Sequence, residues 1–179
     1  ETLVDGKTLR FHQNVLKGIL PNLAIGIGYQ YDKHFELEIE DDEARTKHPN
    51  LPETIKSTTV SSGISLPIVY DTRKNINNPQ QGMYAGITYL YNDTALGSDD
   101  KWQSLFMDFR KYYSIPFARS ILGFRSYYWT ILSGDVPYFD LPSTRSEPGT
   151  GSASRGLQKD RYRSKDMLFI ESEYRFNIS

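Results

Sequence analysis

Leu23-Ala-Ile25-Gly-Ile27-Gly-Tyr29-Gln-Tyr31 carries a large apolar or aromatic side chain at every odd position, with Ala24, Gly26, Gly28 and Gln30 between them. A period of two belongs to a β-strand with unlike faces, because successive side chains leave an extended backbone on opposite sides. The end of the chain repeats it: Leu168, Ile170, Tyr174, Phe176 and Ile178 share one face, and Glu171, Glu173, Arg175 and Asn177 share the other. Thr8 to Leu16, Thr58 to Tyr70, Met83 to Tyr91, Trp102 to Tyr113 and Ser120 to Leu132 also read as strands, so about seven strands and an all-β fold are expected. Ser120 to Leu132 is the least regular, with Ile121, Leu122, Phe124 and Trp129 spread over both faces.

Alternation suits two architectures. In a soluble β-sandwich or lipocalin-like barrel the apolar face points inward and the polar row meets water, whereas in a transmembrane barrel the apolar face meets lipid. The connections favour the second: short turns are read near Lys17 to Asn22, Asp71 to Gly82 and Ser114 to Arg119, and long polar loops through Glu40 to Lys56, Asn92 to Lys101 and Ser133 to Asp166. Outer-membrane barrels have short turns at one end and longer loops at the other. Aromatics also gather near strand ends, at Tyr29 and Tyr31, Tyr89 and Tyr91, Tyr112 and Tyr113, and Tyr127 to Trp129, as in the girdles of a membrane barrel. No run of 18 apolar residues exists, which excludes a helical span but not a β-barrel, whose strands need only about ten residues each. With 21 basic and 22 acidic residues, no overall field recruits nucleic acid, and the absence of cysteine removes thiol chemistry.

The run Tyr70-Asp71-Thr72-Arg73-Lys-Asn75-Ile-Asn-Asn-Pro79-Gln-Gln-Gly82 reads as a strand end and a tight turn, with Pro79 fixing its φ and Gly82 admitting a φ that other residues resist. It resembles the Asp-x-Arg-x-Asn turn with Pro-x-x-Gly of bacterial surface-antigen barrels of the BamA/TamA type. Gly134-Asp135-Val-Pro137, Gly149-Thr-Gly151, Arg155-Gly156 and Glu173-Tyr174-Arg175 follow in the order of that family. Two departures stand out: Leu157 replaces the usual aromatic after Arg-Gly, and Thr150 separates two glycines that are usually adjacent.

The resemblance implies the central part of an antiparallel up-and-down barrel of 16 strands in the bacterial outer membrane. Residues 1–179 would form a partial barrel domain like its sixth to twelfth strands, and the chain is read as a fragment. Seven strands with two open edges leave backbone groups unpaired in lipid. The resemblance further implies that Ser133 to Asp166 folds into the lumen, where Arg155 meets a wall carboxylate and Gly156 lets the tip turn. Glu171 and Glu173 are the acidic candidates within the chain, because their parity puts them on the polar face. The implied function is non-enzymatic insertion or translocation of client outer-membrane or exported proteins, with membrane lipid and accessory subunits as partners and no cofactor. A passive pore, a ligand-binding barrel or an anchor is the alternative.

Other patterns carry less. Glu36, Glu38, Glu40, Asp41, Asp42 and Glu43 lack the ligand spacing of a calcium loop and are read as a solvated outer loop. His12, His34 and His48 have no paired spacing and no cysteine companions, which argues against zinc. Arg161, Arg163 and Lys165 are read either as a loop base that engages acidic wall or neighbouring loops or as a contact to lipid head groups or phosphate.

Overall fold

The computed structural model describes residues 4–39, 56–115, 120–144, 160 and 162–176. Its strands are β1 (Val4–Leu20), β2 (Leu23–Ile39), β3 (Thr58–Asp71), β4 (Gly82–Asn92), β5 (Trp102–Ile115), β6 (Ser120–Gly134) and β7 (Asp166–Phe176). Each pairs antiparallel with its neighbour in sequence, giving one seven-stranded up-and-down sheet. The expected strands are all present. β1 and β2 extend further than alternation indicated, to 17 residues each. Their turn is therefore only Pro21–Asn22, with Asn22 in the left-handed region at φ 68°, and Lys17 to Leu20 belong to the strand. Glu36 and Glu38, read as part of an outer loop, lie within β2, where Glu36 pairs with Lys7 of β1.

Burial decides between the two architectures that alternation left open. A soluble sandwich hides its apolar side chains, yet here Val15, Ile27, Ile68 and Ile170 are 67, 58, 47 and 61 % exposed. The buried side chains are largely polar: Gln30, Asp32, His34, Ser61, Ser65, Ser104, Asp108 and Asp140. An apolar outer face around a polar inner one is the pattern of a barrel wall in lipid. An exposed apolar surface of this extent on a protein in water would mark an interface.

The polar face is concave. In a flat sheet, strands two apart are separated by about 9–10 Å, too far for short side chains to meet. Yet Ser65 of β3 donates to Asn14 of β1 at 2.7 Å, and Trp102 of β5 reaches Ser61 of β3 at 3.3 Å. The first contact passes over Gly28, where a Cβ would stand 1.9 Å from the Asn14 oxygen and 2.5 Å from the Ser65 hydroxyl. Absence of a side chain on the middle strand thus lets its neighbours close over it.

The connections are less asymmetric than expected, since residues 72–81 between β3 and β4 form a connection about as long as residues 93–101 between β4 and β5. The latter folds back on β3, whose first residues extend past the end of β4. Asp93 N–H donates to Ser62 O and Asp99 N–H to Val60 O, continuing the ladder where β4 stops. Asp93 organises this loop: its carboxylate accepts from the Tyr91 hydroxyl at 2.6 Å and the Ala95 N–H at 2.9 Å, with the Lys101 ammonium 3.2 Å away. These contacts, led by the Tyr91 hydroxyl, lower its pKa to about 2 from an ordinary 3.8. A depressed carboxylate stabilises the fold above its unfolded pKa, and that contribution disappears as pH falls through the folded value. Acidification from pH 4 to pH 2 is therefore expected to loosen the loop. Amide exchange at Ala95 and Leu96 should accelerate relative to β4, and equal protection across this range would contradict the assignment.

Candidate functional site

The concave face divides into two zones. Toward the end where β3 turns into β4, it carries a row of charges of alternating sign. Asp71 accepts two parallel hydrogen bonds from Arg73, Nε to Oδ1 at 2.9 Å and Nη2 to Oδ2 at 2.8 Å, plus the Arg73 N–H at 3.0 Å. This planar fork matches a carboxylate as no ammonium does. Arg73 lies 4.7 Å over the Tyr84 ring, and Arg110 lies 5.3 Å from the same ring centre. Arg110 Nε donates to both oxygens of buried Asp108, at 3.1 and 3.0 Å, and Arg125 approaches Asp108 at 3.5 Å from β6. Opposite Arg125 in the β6–β7 register stands Glu171. Two residues on, Glu173 accepts from Arg175 at 2.8 Å. Asn75 accepts from the Asn77 and Asn78 amides at 2.9 and 3.0 Å, Pro79 is buried, and Gly82 takes φ 114°.

At the opposite end an inward segment covers the face. After Gly134 the chain leaves β6, and Asp140 meets β2 and β3. Its carboxylate accepts from His34 Nε2–H at 2.9 Å and from the Ser61 hydroxyl at 2.6 Å. Both His34 and Asp140 are buried. Because a carboxylate only accepts, His34 Nε2 carries the hydrogen that faces Asp140, and the Thr8 hydroxyl lies 3.1 Å from Nδ1. Phe139 packs on the His34 ring with centroids 5.5 Å apart. The returning limb is joined to the outgoing one: Ser143 and Arg163 form an antiparallel bridge, and Ser164 N–H donates to Pro142 O at 3.1 Å. Arg163 donates to the carbonyls of Tyr138 and Phe139 at 3.3 and 2.9 Å and lies over both rings.

Beneath the segment is a cavity of about 50 Å³, polar where Arg10, His12 and Asp32 meet and aromatic where Trp102, Phe106 and Trp129 line it. Asp32 accepts from His12 Nε2 at 2.7 Å and from Arg10. Among the described residues, no group of three metal-ligating side chains converges here or elsewhere. The arrangement holds polypeptide against a wall through hydrogen bonds and ring contacts.

Of the residues expected from sequence, Glu171, Glu173 and the turn set Asp71, Arg73, Asn75, Pro79 and Gly82 lie where described above, while Arg155, Gly156 and Arg161 lie outside the described residues. Arg163, expected at a loop base, turns inward onto the segment itself. The residues that sequence reasoning missed are Asp140, His34, Asp108, Arg110 and Arg125. For His34 a signal existed, since Arg10, His12, Gln30, Asp32 and His34 continue the parity of the small and polar face.

Among curated proteins no sequence matches this chain. A family model described as the Omp85 superfamily domain matches residues 5–141, which takes in β2 to β6 whole, nearly all of β1 and the segment through Asp140. Members of that superfamily are outer-membrane barrels of protein insertion and translocation. An apolar-outside meander with a polar concave face and a match over well over half of its 179 residues make this chain a member of the Omp85 superfamily.

Proposed function

We propose that residues 1–179 are the central part of the barrel of an outer-membrane assembly factor of the BamA/TamA type, resembling its sixth to twelfth strands. It inserts or exports client proteins without a chemical step, together with lipid and accessory subunits. The observation that supports this reading is the inward segment seated by Asp140 on β2 and β3 of the same sheet. A segment folded over the concave face narrows the lumen, as loops that plug membrane barrels do, and suits a barrel that works through its wall and edges more than an open diffusion pore. Arg155 and Gly156 extend the same proposal: an arginine at the tip of the inward segment engages an interior carboxylate, for which Glu171 and Glu173 are the candidates on the described wall.

The test uses the complete protein as sole copy in cells and measures folded outer-membrane clients by their heat-modifiable mobility. Arg155→Ala is expected to lower folded client roughly tenfold, the scale of one charge-assisted hydrogen-bonded pair. Arg161→Ala is expected to stay within about twofold, as for a solvated loop arginine. Equal tolerance of both removes the proposed anchor. Undiminished client folding when the whole protein is withdrawn would favour the passive pore or anchor.

A further inference from the structure

We propose that the outer face of β5 to β7, near the short-turn end of the strands, binds the phosphate of a membrane glycerophospholipid through Lys111, Tyr113 and Tyr174. The inference rests on the membrane-barrel reading of the fold and not on what the barrel does to clients.

Alternation along β5 settles which way Lys111 points. Asp108 and Arg110 face the concave side, and so does Tyr112, whose ring lies 5.8 Å from the Arg175 guanidinium. Phe109, Lys111 and Tyr113 therefore stand on the opposite, lipid-facing side. Phe109 is in ring contact with Phe124 there, and the Lys111 ammonium lies 5.2 Å from the Tyr113 ring centre. Across the ladders Lys111 is opposite Met83 on β4 and Phe124 on β6. Among the described residues of β4 to β7 no other lysine or arginine shares this face, and no carboxylate pairs with Lys111. The outward acid of the region, Asp166, stands at the other end of β7 and already accepts from Tyr128 and Thr130.

An ammonium on a lipid-facing wall must reach a polar partner beyond its apolar neighbours. Tyr113 lies two residues nearer the end of β5, so contact with its ring draws the ammonium toward the short-turn end, where head groups begin. Tyr113 is opposite Leu122, and Leu122 is opposite Tyr174, so two exposed tyrosines flank one leucine at about 9–10 Å from each other. With Lys111 they present three hydrogen-bond donors, one of them charged. A phosphodiester is their complement, because it carries one negative charge and only acceptor oxygens. Its acyl chains lie along exposed Phe109, Phe124 and Ile170 of the same face. A neutral diglyceride covers the apolar surface equally well but leaves the ammonium unpaired.

The experiment is native mass spectrometry of the complete protein, delipidated in detergent and titrated with phosphatidylglycerol, diacylglycerol of the same chains, lipid A and inorganic phosphate. Phosphatidylglycerol is expected to be retained, and Lys111→Ala to weaken its retention about tenfold, the scale of one charge-assisted hydrogen bond. Tyr113→Phe and Tyr174→Phe keep the rings and remove the hydroxyls, and each should weaken retention about threefold. Lys17 is the control: it faces outward near the same end, opposite Ile25 and two residues from Val15, with no tyrosine across its ladder. Lys17→Ala should stay within about twofold, as for an isolated surface charge. Should Lys111→Ala fail to fold, the two tyrosine variants decide the matter. Equal retention of diacylglycerol, or equal losses in Lys111→Ala and Lys17→Ala, overturns the site. Inorganic phosphate held as firmly as phosphatidylglycerol, or lipid A held more firmly, overturns the lipid assigned to it. Retention is read without any client, so a barrel that proves not to assemble proteins leaves the result unchanged.

Discussion

Asp108→Ala is expected to destabilise the folded barrel by about 3–5 kcal/mol, the range for removing one partner of a buried ion pair. The magnitude follows from position. The Asp108 side chain is 4 % exposed, while Arg110 and Arg125 are 22 and 17 % exposed, so all three charges are largely withdrawn from water. Taking away the carboxylate they share sets two guanidinium groups, from adjacent strands, against each other. Arg110 and Arg125 stand opposite one another in the β5–β6 register, so their repulsion acts across that ladder. Exposed pairs behave differently: Lys7 and Glu36 have side chains 65 and 62 % exposed, and Glu36→Gln should cost no more than about 1 kcal/mol. Urea titration of the complete barrel in detergent, followed by its heat-modifiable mobility, checks both. Similar midpoints for Asp108→Ala and Glu36→Gln would show that the interior row contributes no more than a surface pair.

Gly134→Ala is expected to be nearly as damaging, at about 3 kcal/mol or more, for a different reason. Gly134 and Gly97 both adopt φ 91°, so alanine at either position meets the backbone strain of that region, about 1–3 kcal/mol. Their surroundings differ. At Gly97 a Cβ meets nothing within 4 Å, whereas at Gly134 it would stand 2.1 Å from Lys101 O and 2.6 Å from Trp102 Cα. Those are backbone atoms, which cannot rotate aside. The clash also falls where β6 releases the segment that carries Asp140, so its direction across the lumen changes. Comparing the two alanine variants separates strain from collision: Gly97→Ala should fold with a small loss of stability, and Gly134→Ala should lose folding yield and expose the segment to protease. Equal losses would assign the whole effect to φ.

The sheet was legible in the sequence to the extent that its two faces differ in chemistry. Leu23 to Tyr31 and Leu168 to Phe176 alternate cleanly because one face meets lipid and the other carries small or charged groups. β6 was not legible. Leu122 and Phe124 point outward while Tyr127 and Trp129 point inward, and an aromatic that lines the cavity cannot be told by composition from one that meets lipid. Loop lengths were a weaker guide than they looked, since the turn motif after Asp71 is long but folds upon itself through Asn75 and Arg73. The Asp140 site was hidden because its partners lie on strands β2 and β3, and nothing local to Asp140 distinguishes it from other loop acids. Arg155 drew notice through resemblance alone, which places a motif in a family without placing its side chain.

The length of the β1–β2 hairpin has a consequence for where water reaches. Its outward apolar residues run from Leu20 up to Leu9 on β1 and from Leu23 up to Tyr31 on β2. The eleven steps from Leu9 to Leu20, at about 3.4 Å each and tilted by about 40°, rise about 29 Å, near the roughly 25 Å apolar band of an outer-membrane barrel. The rungs above, from Lys7 opposite Phe35 to Val4 opposite Ile39, then stand clear of the hydrocarbon. One continuous ladder thereby crosses two solvents. Its lower rungs are locked by the absence of any competing hydrogen-bond partner, while its upper rungs exchange with water as a two-stranded ribbon beyond the apolar band.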